Sequence, residues 1–178
     1  MNTPQANRGL PLIGRYASGG AILAYAVSGL TADQARARPG PGDWSLVQLI
    51  AHLLDSDLVH ADRIKRLIAE DNPTLQAFDE NLWAARLGYE EESVEEAVSL
   101  LAGNRRRVAS ILRRLPPADF IRSGNHTENG KTTLAEELSL VTNHLDHHLR
   151  FLYAKRANLG VALPPRYGSE ALGTIVNG

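Results

Sequence analysis

The chain has 178 residues, of which 43% are hydrophobic and 22% are charged, and its formal net charge at pH 7 is −1. These values fit one globular domain with a sizeable core, and the near-neutral charge gives no general attraction to nucleic acid. The sequence contains no cysteine, so any metal site must be built from His, Asp and Glu.

Two long helical segments are predicted in the first half of the chain. The first covers about residues 12–28 and is followed by a short capped turn at 31–34 and a stiff Pro-Gly loop at 38–42. The second should begin at Ser45, whose hydroxyl can cap the helix while the glutamine three residues later reaches back, and should end near Glu70. We find no alternation of apolar and polar residues that predicts a sheet anywhere in the chain.

The second half of the chain contains a long connection and two more helices. Residues 74–92 are irregular, and ordered connections of this length in a helical bundle are often functional. The third helix is predicted from a capping box at 93–96 to about Leu115, where two prolines end it. The fourth covers about residues 133–158 and opens on another capping box. The fold class is therefore all-α.

Residues 1–178 are expected to form a single domain, with a core over about 10–158 and an irregular tail at 159–178. Residues 1–30 lack the charged and apolar regions of a signal peptide. No apolar run approaches the roughly 18 residues that span a bilayer. We therefore expect a cytoplasmic protein that has neither a membrane nor a nucleic acid as a partner.

Arginines cluster on the third predicted helix, at residues 105–107 and 113–114. They could form an anion or nucleic-acid patch, but positive side chains towards the end of a helix also match the helix dipole. We interpret them as a solvated face.

Three of the six histidines lie within residues 143–148 of the fourth predicted helix. His144 and His148 are four residues apart, so they share one helix face at a separation of about 5 to 6 Å. Burying two histidines on an inward face is costly unless they have a partner, which favours a shared metal ion. His52, in an apolar run of the second helix, is the obvious third donor. Spacing alone does not establish that the two helices meet, and a histidine on an apolar face is more often a packed core residue.

The other polar candidates carry weaker signals. Asp55, one turn after the histidine of the second helix, is a candidate to orient an imidazole or accept a proton, although an exposed carboxylate fits the same position. His147 lies about 100° around the helix from its neighbour and is interpreted as a surface or supporting residue. His60 is interpreted as an ordinary residue, and His126 as a loop residue that could line the mouth of a pocket.

The chain also carries, in this order, Trp44-Ser45, His52 followed by Leu53-Leu54-Asp55-Ser56-Asp57, Gly130 with Thr133-Leu134, and His144 with His148. In order and spacing these residues resemble the DinB/YfiT-like superfamily of four-helix metalloenzymes over about residues 10–158. The resemblance implies an up-down-down-up four-helix bundle, commonly assembled as a homodimer. It also implies that His52, His144 and His148 form a metal triad.

The members of this superfamily differ in what they catalyse. Some are thiol S-transferases or isomerases that use a low-molecular-weight thiol such as bacillithiol or mycothiol, and others are assigned as metal-dependent hydrolases. Three neutral imidazoles with an open coordination position suit Zn²⁺ or Ni²⁺, with Mn²⁺ or Co²⁺ as further candidates. We therefore predict a divalent-metal-dependent enzyme for a small-molecule substrate, either a small-thiol-dependent S-transferase or a hydrolase. The alternative is a non-catalytic helical binding or interaction module whose histidines are structural.

Overall fold

The computed structural model describes residues 9–38, 40 and 42–168. The long helices are α1 (Gly9–Val27), α3 (Leu46–Ala69), α5 (Val94–Leu112) and α6 (Leu134–Asn158). The connections contain two short helices, α2 (Ala32–Arg36) and α4 (Glu80–Arg86), and two 3₁₀ turns, Tyr89–Glu91 and Pro117–Ile121. Three strands, β1 (Thr74–Leu75), β2 (Ser123–His126) and β3 (Gly130–Thr133), form a small sheet. Residues 169–178 of the expected tail lie outside the described part of the chain.

Local capping interactions set the starts of the helices. The hydroxyls of Thr31, Ser45 and Thr133 each accept a hydrogen bond from the amide three residues later, and the Gln or Glu at that position accepts one from the capping residue's own amide. These reciprocal bonds satisfy amides that a helix start leaves unpaired, so the predicted starts are confirmed. At α5 the amide of Ser93 donates to Glu92 Oε1 instead, so the predicted box forms only in half.

The long helices pack into a bundle in which α1 and α3 each contact both α5 and α6. Two hydrophobic clusters fill the interior. One includes Leu23, Leu49, Leu101 and Leu149, and the other includes Ile13, Ile64, Val108 and Leu138. The chain meets these clusters in the same order along α1 and α6 and in the reverse order along α3 and α5, which is the up-down-down-up topology. No helix in the described ranges has the length and apolar character that crossing a membrane requires.

The small sheet corrects the expectation that the chain contains no strands. β1 pairs in parallel with β2, and β2 pairs antiparallel with β3, with His126 opposite Gly130. Strands of two and four residues are too short to show a clear alternation of apolar and polar side chains. Gly124 allows β2 to approach the preceding connection, because a Cβ at this position would lie 2.6 Å from the carbonyl oxygen of Pro73.

A buried ion pair joins α3 to α5 between the two hydrophobic clusters. Arg105 Nε donates to Asp57 Oδ1 over 2.7 Å, and neither side chain is more than 2% exposed. The guanidinium also donates to the carbonyl oxygens of Tyr16 and Val141, and Asn104 Nδ2 donates to the second carboxylate oxygen. The interpretation of residue 105 as part of a solvated face was therefore wrong, because the helical period places it on the inward side of α5.

Candidate metal centre

Helices α3 and α6 bring three histidines together. His52 Nε2 lies 3.3 Å from His144 Nε2, which in turn lies 3.0 Å from His148 Nε2. One ring nitrogen from each residue lies within 4.8 Å of those of the other two. The side chain of His52 is 1% exposed, while the other two are partly buried. The three residues singled out in the sequence therefore meet, and their binding of a metal stays a prediction.

Packing on both sides of the centre fixes the three rings. On α6, Leu145 and Leu149 alternate with the histidines and point into one hydrophobic cluster, which orients the other face of the helix towards α3. Trp44, just before the start of α3, packs edge-on against His52 with ring centroids 5.2 Å apart. The ring of His52 is thus held between an aromatic wall and the helix that carries the other two donors.

Burial keeps the imidazoles neutral. Burial, and to a smaller extent the neighbouring histidines, lowers the pKa of His52 and of His148 to about 4. Burial and then the neighbouring histidines lower the pKa of His144 even more. At neutral pH all three rings are therefore uncharged, which is the protonation state that binds a metal ion.

The spacing of the three donors fits a shared ion. Two nitrogens each about 2.0–2.1 Å from one zinc ion lie roughly 3.3 Å apart in a tetrahedron. The measured Nε2 separations of 3.3 and 3.0 Å match this value. The buried Nδ1 of His148 has no hydrogen-bond partner among the described residues. No hydrogen bond at this nitrogen therefore accounts for the orientation of the ring, whose Nε2 points towards the other two histidines. The residues present therefore fit a divalent metal.

A carboxylate from the long connection also approaches the centre. Glu80, the first residue of α4, places Oε2 3.7 Å from His52 Nε2. Sequence analysis missed this residue, because it lies in a segment without a clear period.

The structure gives Asp55 a different partner from the one expected. The hydroxyl of Tyr89 donates to Asp55 Oδ2 over 2.7 Å, and the Tyr89 ring packs edge-on against Trp44. No hydrogen bond from this carboxylate to His52, His144 or His148 occurs among the described residues. The predicted orienting contact is therefore not formed, and a role of Asp55 as a proton acceptor stays a prediction.

Next to the centre, a chain of buried polar groups continues between α3 and α6. The ring of His60 lies 6.1 Å from that of His144, and its Nδ1 is 2.7 Å from Glu137 Oε1. Arg63 approaches the same carboxylate oxygen at 3.7 Å and donates to the carbonyl oxygen of Gln76. Sequence analysis missed Glu137, although its spacing of seven residues from His144 places both on one helix face.

The remaining histidines have separate roles. His126 is buried on β2, and its Nδ1 accepts hydrogen bonds from the amides of Glu128 and Asn129, so it stabilises the turn between β2 and β3. His126 is therefore a strand residue and not the loop residue that was expected, and a place at the mouth of a pocket stays a prediction. His147 is exposed and packs edge-on against His148 and Phe151, in agreement with its interpretation as a surface or supporting residue.

An open groove of about 770 Å³ lies elsewhere on the molecule. Its lining comes from residues within 24–36, from Val47 and from 91–95, and includes none of the three clustered histidines. The candidate site is therefore defined by its converging donors and not by the volume of a cavity.

The fold and the three converging histidines define a four-helix bundle with a candidate metal centre, and comparison with known proteins gives the family. The family model described as the DinB superfamily matches residues 16–152. The chain therefore belongs to the DinB superfamily, as its motifs predicted.

Two relatives carry the name "putative metal-dependent hydrolase". One, from Oceanobacillus iheyensis, is 34% identical over 108 residues, which are 61% of this chain and 62% of the relative. The other, from Bacillus mycoides, is 31% identical over 137 residues, which are 77% of this chain and 79% of the relative. The chain thus matches slightly less than two thirds of the first relative's length and a larger share of the second.

Two solved structures confirm the fold. YfiT from Bacillus subtilis, described as "a probable metal-dependent hydrolase with an unusual four-helix bundle topology", superposes with a TM-score of 0.79 at 24% identity and covers 90% of both chains. A DinB-like protein from the same organism gives a TM-score of 0.62 at 17% identity, covering 88% of this chain and 96% of its own. At these identities the likeness is one of fold, and the predicted all-α four-helix class is confirmed.

Proposed function

We propose that this protein is a divalent-metal-dependent enzyme that acts on a small molecule. The observation that carries the proposal is the convergence of three neutral imidazoles, His52, His144 and His148, on one point between α3 and α6. The names of the two relatives, both given as metal-dependent hydrolases, support the same reading. Zn²⁺ or Ni²⁺ are the first candidates for the ion, and Mn²⁺ or Co²⁺ the next, because imidazole ligation suits all four.

The chemistry follows from the donor set. An ion held by three imidazoles supplies Lewis-acid activation of a water molecule, or holds a small thiol as its thiolate. Around it, Trp44 covers one side of His52, and Tyr89 holds the Asp55 carboxylate by a hydrogen bond. These residues would shield part of the site from solvent and leave the reactant to enter from the side of α4.

Hydrolysis of a small ester or amide is the first candidate reaction, because the relatives' names favour it. Transfer of a small thiol to an electrophile is the second, because the same donor set suits a thiolate and the chain has no cysteine of its own. A panel of chromogenic esters and amides, and a chlorinated aromatic electrophile with and without added thiols, separates the two. Turnover that requires an added thiol would favour the transferase, and turnover without one would favour the hydrolase.

Metal analysis of the untagged protein tests the site itself. After exposure to Zn²⁺ or Ni²⁺ and desalting, we expect about one ion per chain in the wild type and almost none in His144→Ala or His148→Ala. The matched control is His147→Ala, which removes an exposed histidine from the same helix and should leave the metal content unchanged. A wild-type content below about half an ion per chain, unchanged in the variants, would reject the site and leave a helical binding module as the better reading.

A homodimer is the assembly that we propose, on the family resemblance alone. Gly19 and Gly20 of α1 give it no support, because a Cβ at either position would meet Arg105 or Ala102 of α5 within the same chain. Light scattering at several protein concentrations measures the mass directly, and a monomeric mass at all of them would remove the proposal.

A further inference from the structure

The position of Glu80 is set by the fold of the long connection. Asp79 caps α4 by accepting a hydrogen bond from the amide of Leu82. Ala84 on the same helix is buried against Ala51 and Tyr89. The helix is therefore fixed to α3 at a residue one turn beyond Glu80, and its first side chain, which is 55% exposed, lies beside His52.

The contact between Glu80 and His52 is too long for a hydrogen bond, because Glu80 Oε2 lies 3.7 Å from His52 Nε2. The carboxylate oxygen carries lone pairs, and in the tautomer with its proton on Nδ1 the imidazole also presents a lone pair at Nε2. A cation between the two atoms would then satisfy both.

The measured distances suit a common ion. Ligand atoms about 2.0–2.2 Å from one zinc ion lie roughly 3.3 to 3.6 Å apart in a tetrahedron. Two of the three histidine pairs lie at 3.3 and 3.0 Å, and Glu80 Oε2 lies 3.7 Å from His52 Nε2. The carboxylate is outside the set of donors that lie within 4.8 Å of one another, so it must move to bind the same ion. Its side chain is 55% exposed, and a change of rotamer would not disturb the core.

The other carboxylate near the centre is already engaged. Asp55 accepts the hydrogen bond of the Tyr89 hydroxyl over 2.7 Å. The charge of Glu80 acts on the same hydroxyl, since it adds to the effects of burial and Asp55 in raising the pKa of Tyr89. Glu80 therefore lies on the same side of the site as Tyr89.

We propose that Glu80 is a fourth metal ligand that an incoming small ligand displaces. This inference rests on the proposed function, because it requires an ion at the three histidines. Three imidazoles anchored on long helices hold the ion firmly, whereas an exposed carboxylate on a seven-residue helix exchanges easily. The carboxylate would occupy the open coordination position at rest and would yield it to a small anion or thiolate.

The experiment uses Co²⁺ as a spectroscopic probe and compares the wild type with Glu80→Gln and Glu90→Gln. Glu90 is an exposed carboxylate of the same connection, so its replacement controls for the loss of one negative charge. In Glu80→Gln we expect Co²⁺ affinity, measured by competition with a chelator, to fall by about tenfold, a typical loss for a group that supports a metal site. The visible absorption bands of the bound Co²⁺ should also shift, and azide should bind to it more tightly. Glu90→Gln should match the wild type in all three measurements.

Each outcome decides one question. Equal Co²⁺ affinity and equal spectra in Glu80→Gln and the wild type would overturn the inference and leave the three-histidine site intact. A lower affinity with an unchanged spectrum would also overturn it, because it would show only a distant effect of charge. Absence of Co²⁺ binding in the wild type itself would overturn the proposed function. The variant Glu80→Asp, which keeps the charge but shortens the side chain, should resemble Glu80→Gln in its spectrum.

Discussion

The bundle contains two buried polar clusters that differ in how their members are satisfied. In the first, the Arg105 guanidinium faces the Asp57 carboxylate, and both have further hydrogen-bond partners in neighbouring helices. In the second, His52, His144 and His148 are chemically alike and uncharged, and they approach one another closely. Two opposite charges neutralise each other within the chain, whereas three converging nitrogen donors are arranged to share an ion from outside it, as the proposed function requires. This contrast, more than burial, separates a structural cluster from a candidate site.

The largest effect should come from breaking the first cluster. Asp57→Ala leaves the guanidinium of Arg105 buried without a counter-charge, so we expect a loss of about 3–5 kcal/mol in the free energy of unfolding, measured with urea. Asp62→Asn, which removes an exposed carboxylate of the same helix, should produce no measurable change. A loss similar to that of the surface control would contradict the assignment of the ion pair to the core.

The metal-free centre should make stability depend on pH. The folded histidines ionise only near pH 4, whereas the unfolded ones take up protons near 6.5, so the unfolded state binds more protons between these values. The free energy of unfolding is therefore highest above pH 6.5 and falls as the pH is lowered, by about 1 kcal/mol per histidine between pH 7 and 5.5. Urea unfolding in chelator measures this slope. A variant with His144→Leu and His148→Leu should show a smaller dependence of the free energy of unfolding on pH. An equal dependence would show that other groups cause it.

Added metal should stabilise the folded protein, and it should do so through the histidine cluster alone. Zn²⁺ at roughly 100 times its Kd is expected to raise the free energy of unfolding by about 2.7 kcal/mol, because it binds the folded state alone. The variant with His144→Leu and His148→Leu should lose this increase while keeping or raising its melting temperature in chelator, since apolar residues suit a buried position. A wild-type melting temperature that did not change with Zn²⁺, Ni²⁺ or Co²⁺ would assign the histidines a structural role, like that of the Arg105–Asp57 ion pair.

The smallest effect concerns the hydrogen bond at the edge of the site. Tyr89→Phe removes the donor to Asp55 and should cost about 1 kcal/mol of stability, with an unchanged metal content. If Asp55 accepts a proton during turnover, Asp55→Asn should reduce kcat well beyond the reduction in Tyr89→Phe. Equal activities in the two variants would limit Asp55 to holding the tyrosine.

Local signals in the sequence were enough for the helices but not for the whole site. Ser45 and Thr133 act within their own turns, and the spacing of His144 and His148 is a property of one helix, so all four could be interpreted without tertiary information. That His52 meets them depends on the packing of α3 against α6, which spacing does not encode. Its apolar helical run made it the obvious third donor, and the family resemblance implied the same triad. The structure shows this meeting.

The failures have equally specific causes. Charge was given more weight than helical period at Arg105, which led to a prediction of solvent exposure for a residue of the core. Glu80 lies on a short helix whose position depends on contacts with α3, and no local pattern marks it. The strand that contains His126 is held by backbone pairing and by the close approach at Gly124, which a pattern of apolar residues does not indicate.

The donors of the centre come from parts of the chain that are far apart, since His52 and His144 are separated by 92 positions. An ion bound by both would act as a reversible cross-link between α3 and α6, much as a disulfide does in an oxidised protein. Release of the ion would then require these two helices to separate or the ligands to leave one by one. The exchange rate of labelled zinc would therefore set an upper limit on how often α3 and α6 separate, a motion that equilibrium measurements on the folded protein do not detect.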